Sequence, residues 1–299
     1  MPMNTESAQP LLSQAVAELT ESVRVIDENG ESRVVQIACE RPLTIYLNKR
    51  EIVTLMTLGG DPEALVLGYL RNQGFIHRLE EVLAIQVDWE VESAAVVTDG
   101  EPEGLEEKLQ QRTVTSGCGQ GTMFGSVMDK LAEVSLPRAE VKQSTVYGLL
   151  HNLNLHNETY KNAGGVHGCA ICEEDQVIAF VEDVGRHNAV DTLAGRMWLD
   201  GISEANKTFY TTGRLTSEMV IKVAQIGIPV LLSRSGVTQM GLGLARELGI
   251  TMLARAKGKH FLVFSGEETL ELDAMPQAKT PEKTQAKGQQ SNRAVDAIS

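Results

Sequence analysis

Apolar and polar side chains alternate along Arg33-Val-Val-Gln-Ile-Ala-Cys39 and again along Leu43-Thr-Ile-Tyr-Leu47, the period of a half-buried strand. A turn at Asn48-Lys49-Arg50 returns the chain into a third strand over 52–58. The period then changes. Asp61-Pro62 is an N-cap followed by proline at the first helical position, which predicts a helix to about residue 72. Strands follow over 83–87 and 94–97, and 105–113 fits helix or strand equally. Two glycine-rich breaks, Thr115-Ser-Gly-Cys-Gly-Gln-Gly-Thr122 and Asn162-Ala-Gly-Gly-Val-His-Gly168, bracket a helix capped by Ser144 and ending near Asn157.

Beyond residue 176 the pattern becomes regular. Strands are predicted over 177–182, 208–211, 229–233, 251–254 and 261–264, and helices over 187–198, 216–226 and 239–248. Strand–helix alternation with short links predicts an α/β layer, helices on a largely parallel sheet, preceded by a smaller, mostly β N-terminal part. The expected divisions are a flexible arm over 1–25, a β-rich part over 26–140, an α/β part over 141–272 and a disordered tail over 273–299. The tail is rich in Lys, Gln and Pro and has too little apolar surface to offset its ordering entropy.

Composition narrows the partners. The 299 residues are 42% hydrophobic and 22% charged, a globular balance. The net charge is −13, and the basic tail leaves the rest of the chain more negative still. Such a body repels a nucleic-acid backbone, so no nucleic-acid partner is expected. No run of ~18 apolar residues spans a membrane. The first 25 residues have neither a basic start nor a long apolar core, so no export signal is expected. Four cysteines, at 39, 118, 169 and 172, then read as reduced thiols of a cytoplasmic protein.

Candidate chemistry sits in a few short stretches. Cys118 is flanked by Gly117, Gly119 and Gly121, with no apolar neighbour until Met123. Such a thiol reads either as a reactive group on an adaptable loop, suited to visiting two partners, or as part of an ordinary tight turn. No Gly-Lys-Ser/Thr follows, which excludes a phosphate-binding P-loop. His156-Asn-Glu158 upstream of Cys169-Ala-Ile-Cys172 matches the order of ligands and proton carrier in zinc nucleoside deaminases, although Gly168 stands where proline is usual. The same Cys-x-x-Cys reads as a redox pair, or as a buried strand with its thiols on opposite faces. Glu182, Asp183, Arg186, His187, Asn188 and Asp191 cluster where a strand hands over to a helix, the place where open α/β sheets bind ligands. Arg214 and Arg234 follow the next two strands and read as an anion site or as surface ion-pair partners.

Together these blocks resemble the FdhD family of formate dehydrogenase accessory sulfurtransferases. The matching pieces are Gly-Cys118-Gly, Gly-Gly-Val-His167, Glu-Asp-Val-Gly-Arg-His-Asn-Ala-Val-Asp191, Gly-Arg-Leu-Thr-Ser-Glu-Met-Val220, Ser-Arg-Ser235 and Phe-Leu-Val-Phe-Ser-Gly266. The resemblance runs from about residue 41 to 266 and implies a cytidine-deaminase-like layered fold without catalytic metal. It implies a sulfur carrier: a cysteine desulfurase loads Cys118 as a persulfide, and the sulfur passes to the molybdenum cofactor, a bis(molybdopterin guanine dinucleotide). The cofactor is then inserted into the formate dehydrogenase catalytic subunit. Phe261, Leu262, Val263, Phe264, Ser265 and Gly266 match the family's cofactor-binding segment, Arg214 and Arg234 are the expected phosphate partners, and a homodimer is implied. Two departures stand out: Gly121 occupies the place of a second loop cysteine, and Ser-Gly-Val-Thr238 replaces a proline-containing run. The rival readings are a cofactor-binding chaperone that moves no sulfur and a zinc-dependent hydrolase.

Overall fold

The computed structural model describes residues 9–102, 104–106 and 134–274. Cys118 and Gly121 lie outside the described residues.

The N-terminal part is built from β1 (Leu11–Leu12), β2 (Thr20–Ile26), β3 (Ser32–Ala38), β4 (Arg41–Leu47), β5 (Arg50–Thr57), helix α1 (Pro62–Asn72), β6 (Val82–Asp88) and β7 (Ser93–Thr98). Strands β1-β6-β7-β4-β5 form one sheet, and β2 and β3 pair only with each other as a ribbon. The expected flexible arm is in fact partly structured. Leu11 and Leu12 pair in parallel with Ala84 and Ile85, and all seven residues of β2 pair with β3. The buried Glu63 carboxylate explains the docking: it accepts from Ser13 Oγ at 2.5 Å and Ala15 N at 2.7 Å, so a segment of mixed composition is held by polar anchors instead of apolar period.

Helix α1 is buried at ten of its eleven positions, Arg71 being the exception. One face covers the first sheet through Leu65, Tyr69 and Leu70, which meet Leu43, Ile45 and Ile85. The other face lies against a helix of the second half.

That half comprises β8 (Val141–Lys142), α2 (Gln143–Leu153), α3 (Glu158–Ala163), β9 (His167–Glu173), β10 (Gln176–Asp183), α4 (Arg186–Leu199), β11 (Lys207–Thr211), α5 (Ser217–Gln225), β12 (Val230–Ser233), α6 (Gln239–Glu247), β13 (Thr251–Lys257), β14 (His260–Ser265) and β15 (Leu270–Glu271). Its sheet runs β10-β9-β11-β12-β13-β14. The expected parallel character is confined to β11, β12 and β13; the pairs β10–β9, β9–β11 and β13–β14 are antiparallel. The links at 174–175 and 258–259 are hairpin turns, and a turn that short cannot make a parallel crossover. Helices α4, α5 and α6 cover one face of this sheet and α2 the other.

The helix expected from Ser144 to Asn157 is two helices. Asn157 Nδ2 donates to Leu153 O at 3.0 Å, closing the first before α3 begins. Ser144 is not its cap: the residue sits inside α2, and both its amide and its hydroxyl donate to the Asp273 carboxylate, at 2.8 and 2.5 Å.

Helices α1 and α4 cross with their backbones touching. A Cβ on Gly68 would stand 1.7 Å from Asp191 O, and one on Gly195 would stand 2.0 Å from Ala64 O. Beside this crossing Asp191, fully buried, accepts from Lys222 Nζ at 2.6 Å and from Asn72 Nδ2 at 2.7 Å. One carboxylate therefore joins α1, α4 and α5. Among the described residues no helix is long and apolar enough to cross a membrane.

Candidate functional site

At one edge of the second sheet, β10, β11 and β12 end and β9 begins, as the register Asp183↔His167, Thr211↔Cys169 and Thr211↔Ser233 shows. The loops at this edge are pinned by hydroxyls. Thr211 Oγ1 accepts from Gly213 N at 3.0 Å and from Cys169 Sγ at 3.2 Å. Thr212 Oγ1 accepts from Gly168 N at 3.0 Å. Ser233 Oγ donates to Gly213 O at 2.7 Å and accepts from Ser235 N at 2.9 Å. Arg234 N donates to Thr211 O at 3.1 Å and Arg255 N to Ser235 O at 2.8 Å. Short polar side chains thus fix the backbone and leave the side chains of Arg214, Arg234 and Arg255 exposed. A Cβ on Gly213 would lie 2.8 Å from Arg186 Cδ, so the glycine makes room for that side chain.

The cluster from Glu182 to Asp191 divides by role. Glu182 accepts from the Thr159 and Tyr160 amides at 2.8 and 3.0 Å and thereby caps α3. Asp183, buried, accepts from Thr57 Oγ1 at 2.5 Å, Leu58 N at 3.0 Å, Gly185 N at 2.9 Å and Asn188 Nδ2 at 2.9 Å. Asn188 Nδ2 also donates to Met56 O at 2.7 Å. With Asp191, these residues bolt the two sheets together. Arg186 and His187, in the first turn of α4, face the edge. His187 Nδ1 lies 3.0 Å from Glu218 Oε2, so the first turn of α4 touches the first turn of α5.

The electrostatics follow from burial among cations. Burial pulls the His187 pKa below its usual value, with Lys222 and Arg186 adding to the effect and Glu218 opposing it. His167 is lowered by burial and then by Arg186, His187 and Arg214. Both imidazoles are disfavoured as cations, Arg186 acting on both and Arg214 on His167.

The anticipated cofactor residues do not all meet. Arg214 and Arg234 lie together at this edge. Phe261 to Gly266 fall on β14 and the residue after it, where Ser265 pairs with Met252 near the start of β13 and Gly266 stands at the opposite edge. Phe261 lies tilted against Tyr147 with ring centroids 5.9 Å apart, Val263 packs on the α2 side, Leu262 is exposed and Phe264 packs on the α6 side. Ser265 Oγ donates to Ile250 O at 2.7 Å. Gly266 has φ +74° and no room for a side chain, since a Cβ would lie 2.6 Å from Thr251 Oγ1. Phe264, Ser265 and Gly266 line a cleft of about 300 Å³ with Arg246, Glu267 and Glu268. The segment therefore begins at the edge where β13 ends and finishes at the opposite one, so Phe264, Ser265 and Gly266 lie away from Arg214 and Arg234. The sequence reading left Arg255 out: it sits inside β13 in a left-handed bulge at φ +53°, which no pattern announces. Arg186 belongs to the polar cluster where β10 hands over to α4 and His167 to the Gly-Gly-Val-His stretch, and the pattern gave neither a binding role of its own.

The zinc arrangement does not assemble. Cys169 faces the core under α4 and α5, while Cys172 faces the core under α2, on opposite sides of β9. His156 lies against the Phe180 ring, with centroids 5.5 Å apart. Burial pushes both thiols up to about 12, which makes them poor nucleophiles.

Fold and edge define an α/β protein with a cationic, hydroxyl-pinned strand edge. The FdhD/NarQ family profile matches residues 38–271, and the chain belongs to that family. It is 32% identical over 247 residues to the sulfur carrier protein FdhD of Bacillus subtilis (strain 168), covering 81% of this chain and 94% of that protein. It is 30% identical over 237 residues to the sulfur carrier protein FdhD of Listeria monocytogenes serotype 4b, covering 78% and 91%. It superposes with a TM-score of 0.67 and 30% identity on the crystal structure of a Desulfotalea psychrophila protein assigned as a formate dehydrogenase accessory protein, covering 84% of this chain and 98% of that one.

Proposed function

We propose that this chain is a sulfur carrier, a sulfurtransferase working through a cysteine persulfide, for the maturation of formate dehydrogenase. Family membership carries the reading, together with the name of its relatives. Cys118 is the carrier thiol, lone among glycines in the sequence; of the other three cysteines, Cys169 and Cys172 are buried and held protonated and Cys39 is half-buried. Its thiolate attacks the outer sulfur of a cysteine desulfurase persulfide. A new S–S bond forms at Cys118, the donor's S–S bond breaks, and the donor cysteine leaves as thiolate. The sulfur is then handed to the molybdenum cofactor, which is substrate here and not a resident group. With Gly121 in place of a second loop cysteine, no neighbouring thiol attacks the persulfide and releases sulfide.

The guanine-dinucleotide end of the cofactor binds the second half, at the arginine edge and along Phe261 to Gly266. The layered α/β part is deaminase-like in arrangement but has no use for a catalytic metal. The protein works in the cytoplasm, as a homodimer, between the desulfurase and the dehydrogenase catalytic subunit.

Two experiments test this. In a strain lacking its own carrier, the parent restores formate dehydrogenase activity and Cys118→Ala does not. Restoration by Cys118→Ala would establish the chaperone reading instead. Guanosine diphosphate binds better than adenosine diphosphate, and Arg214→Ala weakens it by about 1–3 kcal/mol if the guanidinium pairs with a phosphate. Equal affinity for the two nucleotides would refute a guanine-selective site.

A further inference from the structure

Two helix N termini meet at the arginine edge, and neither has a side-chain cap. Helix α4, of 14 residues, starts after Gly185; helix α5, of nine, starts after Thr216. First-turn amides have no intrahelical acceptor, and each N terminus carries partial positive charge. Thr216 is a residue type that caps helices, yet its Oγ1 is buried and bonds nothing among the described residues. Arg186 Nε is likewise buried without a partner among them. His187 is 3% exposed; Glu218 lies against its Nδ1, and its Nε2 has no hydrogen-bond partner. Buried polar atoms cost free energy when unpaired, so three of them on residues of two touching helix turns call for a ligand that pairs with them.

We propose that the site between the N termini of α4 and α5 takes a phosphate-type oxyanion. Arg186 and Thr216 donate to it, His187 meets it through Nε2, the positive ends of both helices face it, and Arg214 and His167 stand at the rim. The chemistry of the donors selects this ligand. A tetrahedral oxyanion offers acceptors in several directions, which suits two converging helix ends, one guanidinium and one hydroxyl. A neutral ligand would leave Glu218, in the first turn of α5, as the carboxylate facing both helix ends together with Arg186 and Arg214. The groups acting on His187 are Glu218, Lys222, Arg186 and, across the edge, His167. An anion at Nε2 favours the imidazolium, whose Nε2–H then donates to the oxyanion while its Nδ1–H donates to the Glu218 carboxylate. Binding therefore takes up a proton and strengthens as the pH falls. The inference rests on the proposed function only for the source of the phosphate, a dinucleotide pyrophosphate; the site itself rests on the geometry.

The test is calorimetric titration of the full chain with inorganic pyrophosphate at pH 6 and pH 8. The parent binds, more tightly at pH 6. Arg186→Gln and Thr216→Val each weaken binding, the former by tenfold or more, with unchanged circular dichroism. His187→Gln keeps partial affinity but loses the difference between the two pH values, a readout that a merely structural role would not move. Arg24→Gln, on the distant β2–β3 ribbon, binds as the parent does. No binding at pH 6, or parental affinity in Arg186→Gln, overturns the site. A parallel titration with guanosine diphosphate separates the two readings. Pyrophosphate binding without guanosine diphosphate binding keeps the oxyanion site and removes the dinucleotide reading. Guanosine diphosphate binding undiminished by Arg186→Gln does the reverse.

Discussion

Alanine at Gly195 should split the contact that joins the two halves. The added Cβ would lie 2.0 Å from Ala64 O, 2.8 Å from the carbonyl carbon and 3.0 Å from Cα, where ordinary contacts begin near 3.4 Å. All three neighbours are backbone, so no side chain can swing aside, and α1 and α4 must move apart by more than ~1 Å. Overpacking of this kind costs roughly 1–3 kcal/mol, at the upper end where backbones must separate. The same movement stretches the 2.7 Å bond from Asn72 to Asp191 and the 2.8 Å bond from Arg71 Nη1 to Ala194 O. A hydrogen bond to a charged group contributes about 1.5–3 kcal/mol. Against this, alanine is favoured over glycine inside a helix by about 1 kcal/mol. The net expectation is a loss of roughly 2–5 kcal/mol. Urea unfolding followed by circular dichroism measures it. Gly243→Ala in α6 is the control, because nothing lies within 4 Å of its would-be Cβ; that variant should be neutral or stabilised by up to about 1 kcal/mol. If Gly195→Ala is as stable as Gly243→Ala, the helices do not cross in contact and the argument fails.

Further outcomes follow from the buried groups. Burial and neighbouring cations hold His187 and His167 below the ordinary histidine value, so between the folded and unfolded pKa the unfolded chain binds more protons. Their contribution to stability is present above about pH 6.5 and is lost as the pH falls below it. Asp183 has the opposite sign: burial raises it, so its contribution is full below the ordinary carboxylate value and shrinks as the pH rises. Comparing His187→Gln with the parent from pH 8 to 5 isolates the histidine part, and parallel curves would contradict it. Cys169 and Cys172, each held near 12, stay unmodified by iodoacetamide in the folded chain, while the half-buried Cys39 is accessible. The double serine variant loads sulfur normally; loss of both loading and bound zinc in that variant would revive the hydrolase reading.

Much of this architecture was legible in the sequence because it is written in local period. The strands at 43–47 and 83–87 and the helix after Asp61-Pro62 follow from alternation and capping, and the opposite faces of Cys169 and Cys172 follow from their spacing. What escaped depends on contacts distant in sequence. Residues 11–15 are held by Glu63 and by β6, and Ser144 by Asp273, more than a hundred positions away. Strand direction escaped because a hairpin and a short link look alike in composition. The site was half legible. Strand-end arginines at 214 and 234 stand after recognisable strands, whereas Arg255 sits in a bulge, and the role of Glu218 appears only when α5 is laid beside α4.

The sulfur-carrier claim rests on one thiol, and intact mass tests it most directly. The purified chain is incubated with a cysteine desulfurase and cysteine. The account predicts one added sulfur on the parent, released by reductant and absent from Cys118→Ser. An adduct that persists on Cys118→Ser, or a parent that gains no sulfur, would contradict it.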